Sequence, residues 1–195
     1  MHDKYLIDDA LSADRCVISV MGAHAGESVE IIFKRKMDDI NRLNLTFWLV
    51  KSPKAKPSLV QKLCTAGPSY AIFIEPSSKG GARPTEINQK ATEYSEDGNV
   101  WQSLPYGLGP VTGKIDTRAY ALVFDKLETN PGAILDLWRY ADYENSQMPI
   151  KLILGCSTIS AVKKDMSIHS EKPHSRYRRI VAVARLAKPY SVLLK

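Results

Sequence analysis

Three short apolar runs constrain this chain most: Cys16–Met21, Thr46–Lys51 and Tyr70–Glu75. Each is too short for a buried helix, is rich in β-branched or aromatic residues, and is followed by turn-forming residues, so each reads as a strand. Between the first two, Val29, Ile32, Phe33, Met37, Ile40 and Leu43 recur at three- and four-residue steps. That spacing predicts a helix over about 27–43 with one apolar face. Glu27 and Glu30 fall in its first turns, where the helix dipole favours carboxylates, and Lys34, Arg35, Lys36 and Asp38 read as its solvated side. A second, shorter helix is expected over Ser58–Cys64, opened by Pro57 and stopped by Gly67-Pro68. The order β-α-β-α-β predicts parallel strands joined by right-handed crossovers, and fully apolar strands fit a sheet covered on both faces. The expectation is therefore an α/β fold with a three-layer or mixed sheet.

The remainder is less regular. Residues 76–113 read as an insertion-like region with one or two helical turns near Glu86–Glu93. Ala119–Phe124 reads as a strand, and Pro131-Gly132 as the start of a helix carrying Ile134, Leu135, Trp138 and Ala141 on one side. Pro149–Leu154 is expected to be a strand and Lys163–Ser175 a polar loop. Arg179–Arg185 and Tyr190–Leu194 read as an antiparallel strand pair turning at Lys188-Pro189. The whole of 1–195 is expected to be a single domain, large enough to bury a core without disulfide or metal staples.

The start of the chain lacks the basic segment and apolar run of a secretory signal, and no apolar stretch is long enough to span a membrane. These features predict an intracellular, cytoplasmic protein without membrane insertion. Cys16, Cys64 and Cys156 are far apart, without the close spacing of zinc ligands, so they read as small buried hydrophobes and no metal is expected. The sequence names no cofactor and no oligomeric state.

In open α/β sheets, ligands bind beyond the carboxyl ends of the strands. If the three strands are parallel, the loops Gly22–Gly26, Lys51–Pro57 and Pro76–Thr85 share one edge. That edge would gather His24, Glu27, Lys51, Lys54, Lys79 and Arg83, with Asp125 joining if the sheet continues in the same sense. His24, Glu27 and Asp125 are the candidate acid–base groups, while small residues around Lys79 and Arg83 suit an anion-binding loop. The glycine spacing at 22–26 matches neither a dinucleotide fingerprint nor a P-loop.

The formal net charge is +6, and basic side chains are densest over 163–179, with Lys163, Lys164, Arg176, Arg178 and Arg179 around Tyr177. Arginine interleaved with aromatics suits phosphate contact and base stacking. Trp101 and Tyr106, in a Gly/Pro-rich context, are candidates for stacking or for lining a pocket. The leading expectation is a nucleic-acid-associated binding module that holds DNA or RNA phosphates through basic loops. One alternative is an enzyme acting on a nucleotide or phosphorylated small molecule at the sheet edge. Another is a non-enzymatic partner subunit that presents an apolar patch near Trp101.

Overall fold

A computed structural model of the chain describes residues 5–21, 27–50, 56–76, 91–105, 108, 119–145, 159–165 and 176–195. A short helix, α1 (Leu6–Ser12), comes first. After it come β1 (Arg15–Val20), α2 (Val29–Leu43), β2 (Thr46–Val50), α3 (Pro57–Cys64) and β3 (Tyr70–Ile74). In α2 the Ser28 hydroxyl accepts from the Ile31 amide and opens the helix, while Asn44 closes it in the left-handed region at φ 59°. Both satisfy backbone groups that a helix leaves unpaired at its ends. Pro57 occupies the first turn of α3, where its missing N–H costs nothing.

The strand directions differ from the expected parallel unit. β1 and β3 are parallel, with Val20 level with Ile74. β2 pairs antiparallel with β6 (Tyr120–Thr129), Thr46 opposite Phe124 and Val50 opposite Tyr120. Both β6 and β3 pair antiparallel with β10 (Tyr177–Leu194), so β2 runs against β1 and β3. Pairing sets that direction, because β2 adds antiparallel to the outer side of β6. The left-handed Asn44 folds the chain back at once, and Asp39 and Lys36 bond to Thr46 and Phe47 beside the last turns of the helix. Thr46 stands level with Phe124 and Leu186, beside the start of β3, and β2 runs on from there away from the edge where β1 and β3 end. The result is a mixed sheet with strand order β2-β6-β10-β3-β1-β9-β8, in which β8 is Tyr140–Asp142 and β9 is Ile159–Lys164.

The last third corrects several further expectations. Arg179–Arg185 and Tyr190–Leu194 are not a hairpin. They belong to one strand, β10, which carries a cis Lys188–Pro189 bond and a break in register between Leu186 and Ser191. The helix expected after Pro131-Gly132 is instead β7 (Ile134–Asp136), a 3-10 turn over Leu137–Arg139, and β8. Here Asp136 caps the 3-10 turn by accepting from the Trp138 amide. Leu135, Leu137 and Tyr140 pack beneath it at the odd–even mixture of spacings that imitates a helical face. Lys163 and Lys164 end strand β9 rather than starting a loop. Within the region read as irregular, β4 (Glu93–Ser95) and β5 (Gln102–Ser103) pair with each other, and β4 pairs with the end of β10. The strand expected at 149–154 lies outside the described residues.

Side-chain alternation sorts the core into layers. Val17, Ala71, Phe73, Leu122, Phe124 and Ala182 face α2 and α3, where they meet Phe33, Leu59, Val60 and Leu63. Their strand neighbours Cys16, Ile18, Ile72, Ile74 and Val183 face the other side, with Ile7 and Ala10 of α1. Phe33, Trp48, Phe73 and Phe124 form a connected aromatic cluster, with Trp48 and Phe73 centroids 4.5 Å apart. Each buried ring of this kind contributes roughly 1.5–3 kcal/mol by leaving water. Cys16 and Cys64 are free and buried; burial pushes their thiols up to about 12 and about 11 respectively, so both stay protonated. Among the described residues, no helix is long and apolar enough to cross a membrane.

Candidate functional site

The end of the parallel pair carries a concavity. A groove of about 500 Å³ lies between α2 and the edge where β1 and β3 finish. From that edge it is lined by Met21, Glu75 and Pro76, and by Thr129 and Asn130 where β6 ends. The start of β10 adds Arg179 and Val181. Helix α2 supplies Val29, Glu30, Phe33, Lys34, Met37, Asp38 and Asn41, a stripe at three- and four-residue steps. Asn130 holds a left-handed turn at φ 50° and donates its amide to the Val181 carbonyl, fixing the wall where β6 leaves the sheet.

The floor is apolar and the rim charged. Met21, Phe33 and Val181 are buried, whereas Lys34 and Asp38 are exposed. Arg179 donates to Glu75 through Nε at 2.7 Å and through Nη2, a pairing that raises the guanidinium above its ordinary range. Glu30 is held below the usual carboxylate range, first by its own backbone amide and the Ser28 hydroxyl and then by the nearby Arg179. Among the described residues, no group of His, Cys, Asp or Glu side chains gathers in a way that could hold a metal ion.

Among the described sequence candidates, Arg179 lines this groove. Because β2 runs against β1 and β3, its final residue Val50 stands level with Tyr120 and Leu193, at the opposite end from the groove. The three loops therefore do not leave from one edge: Lys51 and Lys54 come after a strand that ends elsewhere. Lys51, Lys54, His24, Lys79, Arg83 and Tyr106 themselves lie outside the described residues. Glu27 precedes α2 and is held by Arg35 at 2.6 Å. Asp125 does not reach the edge. It accepts two hydrogen bonds from Arg185, at 2.8 and 2.6 Å, roughly 13 Å of strand before Thr129.

The basic candidates at 163–179 also have partners. Lys164 donates its Nζ to the Leu11 carbonyl at 2.7 Å, and Lys163 is half-buried across from Arg15. Arg176 forms a two-point pair with Asp136 at 3.0 and 2.8 Å, with its guanidinium 4.8 Å from the Trp138 ring and 4.9 Å from that of Tyr177. Arg178 is half-buried, and desolvation lowers it from its ordinary value. Asp136 and Glu75, brought from distant parts of the chain, thus neutralise two of the arginines that make this segment look basic. Trp101 lies by β5 at the far end of β10, its ring 5.5 Å from the Lys195 ammonium, well away from the groove.

The sequence points to the edge but hides most of the lining. Lys34 and Asp38 read as solvated side chains, and only their four-residue spacing beside Phe33 and Met37 hints at a shared wall. The signal for Thr129 and Asn130 is weaker still: the turn-forming run Asn130-Pro131-Gly132. Comparison with protein-family models, curated proteins and solved structures returned no match for this chain.

Proposed function

We propose that the chain binds a nucleotide or phosphorylated small molecule in the groove between α2 and the carboxyl ends of β1 and β3. The observation that carries this reading is the groove itself: its volume of about 500 Å³ is that of a small-molecule site, and it lies at the sheet edge where α/β folds place ligands. Met21, Phe33 and Val181 offer an apolar bed for a flat body, and Lys34 and Arg179 offer charge to a phosphate. The chain leaves the lining at Met21 and Pro76, and the adjoining segments carry His24 in one case and Lys79 and Arg83 in the other. Under this reading those residues add acid–base and anion-binding chemistry, and the protein is an enzyme. A thermal-shift screen with nucleoside monophosphates and aryl phosphates tests it. Binding stabilises the folded state by RT ln(1 + L/Kd), where L is the free ligand concentration, so the melting temperature rises with ligand concentration, and Arg179→Gln removes the rise. A panel without any shift in the native protein would overturn the reading.

A second reading keeps nucleic acid as the partner and rests on the half-buried Trp138 with the exposed Arg176 and Tyr177 stacked beside it. An unpaired base placed on Tyr177, which is 58% exposed, would extend that stack. Fluorescence anisotropy with a labelled single-stranded oligonucleotide decides it. The reading requires affinity that falls with salt and weakens in Tyr177→Ser; binding unaffected by both would rule it out.

A further inference from the structure

The groove's charges are divided along its length. On α2, Glu30, Lys34 and Asp38 stand at four-residue steps, so successive charges are about 6 Å apart along the helix. Facing the Glu30 end is the Arg179–Glu75 pair, and Glu30 itself feels Arg179. Further along come Lys34 and then Asp38, and neither forms an ion pair with any described residue. Phe33 and Met37 lie on the same stripe between Glu30 and Asp38.

Among the described residues the groove sets three carboxylates against two cations, and one cation is already engaged. Asp38 adds nothing to the binding of a purely anionic ligand, while a ligand that brings its own cation finds a counter-charge there. We infer that the groove takes an amphiphilic zwitterion: an apolar or aromatic body with a phosphate between Arg179 and Lys34 and a protonated amine at the Asp38 end, one to two four-residue helix steps (roughly 6–12 Å) away. This inference rests on the reading of the groove as a phosphate-ligand site and names the ligand class.

Three matched probes test it: O-phosphotyramine, which has both charges; 4-ethylphenyl phosphate, which lacks the amine; and tyramine, which lacks the phosphate. Each is titrated into the full chain while the backbone resonances of α2 and β10 are followed by NMR. O-phosphotyramine should bind about fivefold more tightly than 4-ethylphenyl phosphate, the scale of one partly exposed charge pair. Asp38→Asn, a change at an exposed position, should erase that advantage and leave 4-ethylphenyl phosphate binding no weaker than before. Equal affinity of the two phosphates for the native chain overturns the zwitterion and leaves the phosphate site standing. Tyramine binding as tightly as O-phosphotyramine also overturns it. If neither phosphate perturbs α2 or β10, the inference and the phosphate site fall together.

Discussion

The two sides of helix α2 use the same kinds of residue for different ends. Lys34 and Asp38 are exposed, unpaired among the described residues, and line the groove. Lys36 and Asp39, one or two positions away, are 6% and 2% exposed and locked into the fold. The Lys36 ammonium donates to the Phe47 carbonyl of β2 and lies 3.9 Å from Asp39. Asp39 accepts from the Thr46 hydroxyl at 3.0 Å and from Arg42 at 3.3 Å. The inner set ties α2 to the start of β2, the strand whose direction departs from a parallel sheet. Where a buried charge has hydrogen-bonding partners it specifies the geometry of the chain; where a charge on the same helix has none it is available to a ligand.

The largest expected effect comes from breaking the inner set. Asp39→Ala removes the acceptor for Thr46 and Arg42 and leaves Lys36 buried without its counter-charge. The expected loss is about 4 kcal/mol, the scale for removing one partner of a buried pair. Urea unfolding followed by circular dichroism measures it, and a loss under about 1 kcal/mol would mean that the inner charges hold nothing in place.

Next in size is a pH effect. Burial pushes the Lys36 ammonium down to about 8 from 10.5, with Arg35 pushing in the same direction and Asp39 and Glu27 opposing. Between those two values the unfolded chain binds a proton that the folded chain does not, so Lys36 destabilises the fold increasingly as pH falls from 10.5 towards 8. Lys36→Met removes that titration. The stability difference between Lys36→Met and the native chain should therefore rise in the variant's favour by about 3 kcal/mol on going from pH 10.5 to pH 8 and then level off. The raised thiols of Cys16 and Cys64 weaken both proteins at alkaline pH and cancel in the difference. A difference that does not change with pH would place Lys36 in contact with water.

The same helix shows what is legible in the sequence. Periodicity locates α2 to within two residues, but it places Lys36 with the solvated side chains and Met37 with the core. In the fold Lys36 is buried and Met37 is 38% exposed. The periodicity is blind to a lysine whose stem packs on apolar surface while its tip finds a carbonyl at the helix margin. Likewise β1, β2 and β3 are recognisable as strands because local composition encodes strand formation, but direction is set by pairing. The partner of β2 is β6, some seventy positions later, and nothing near Thr46 announces it. The edge carrying the groove is legible because turn-forming residues come after Met21 and Glu75. The pairing of Arg176 and Arg179 with carboxylates is not, since Asp136 and Glu75 arrive from 40 and 104 positions away.

A smaller effect sharpens the outer side. Arg179 is engaged by Glu75, so a phosphate must compete for it. Glu75→Gln removes one carboxylate and leaves a weaker acceptor. Affinity for 4-ethylphenyl phosphate should rise by about threefold, with stability changed by less than about 1 kcal/mol because the pair is exposed. Calorimetric titration reads the first and urea unfolding the second. Weaker binding in this variant would mean that Glu75 holds Arg179 in position for the ligand instead of competing with it.

The smallest expected effect completes the comparison of the two sides. Asp38→Ala sits next to Asp39→Ala in sequence, and both remove one carboxylate from one turn of one helix. Asp38 leaves no partner behind among the described residues, so its loss should change stability by less than about 0.5 kcal/mol, as is usual for an exposed site without a specific contact. The gap between the two variants under the same urea titration, about 4 kcal/mol against nearly none, measures how far burial and partners convert one charge into structure. If Asp38→Ala cost as much as Asp39→Ala, Asp38 would be part of the scaffold, and the groove would lose the carboxylate that distinguishes a zwitterion from a simple phosphate.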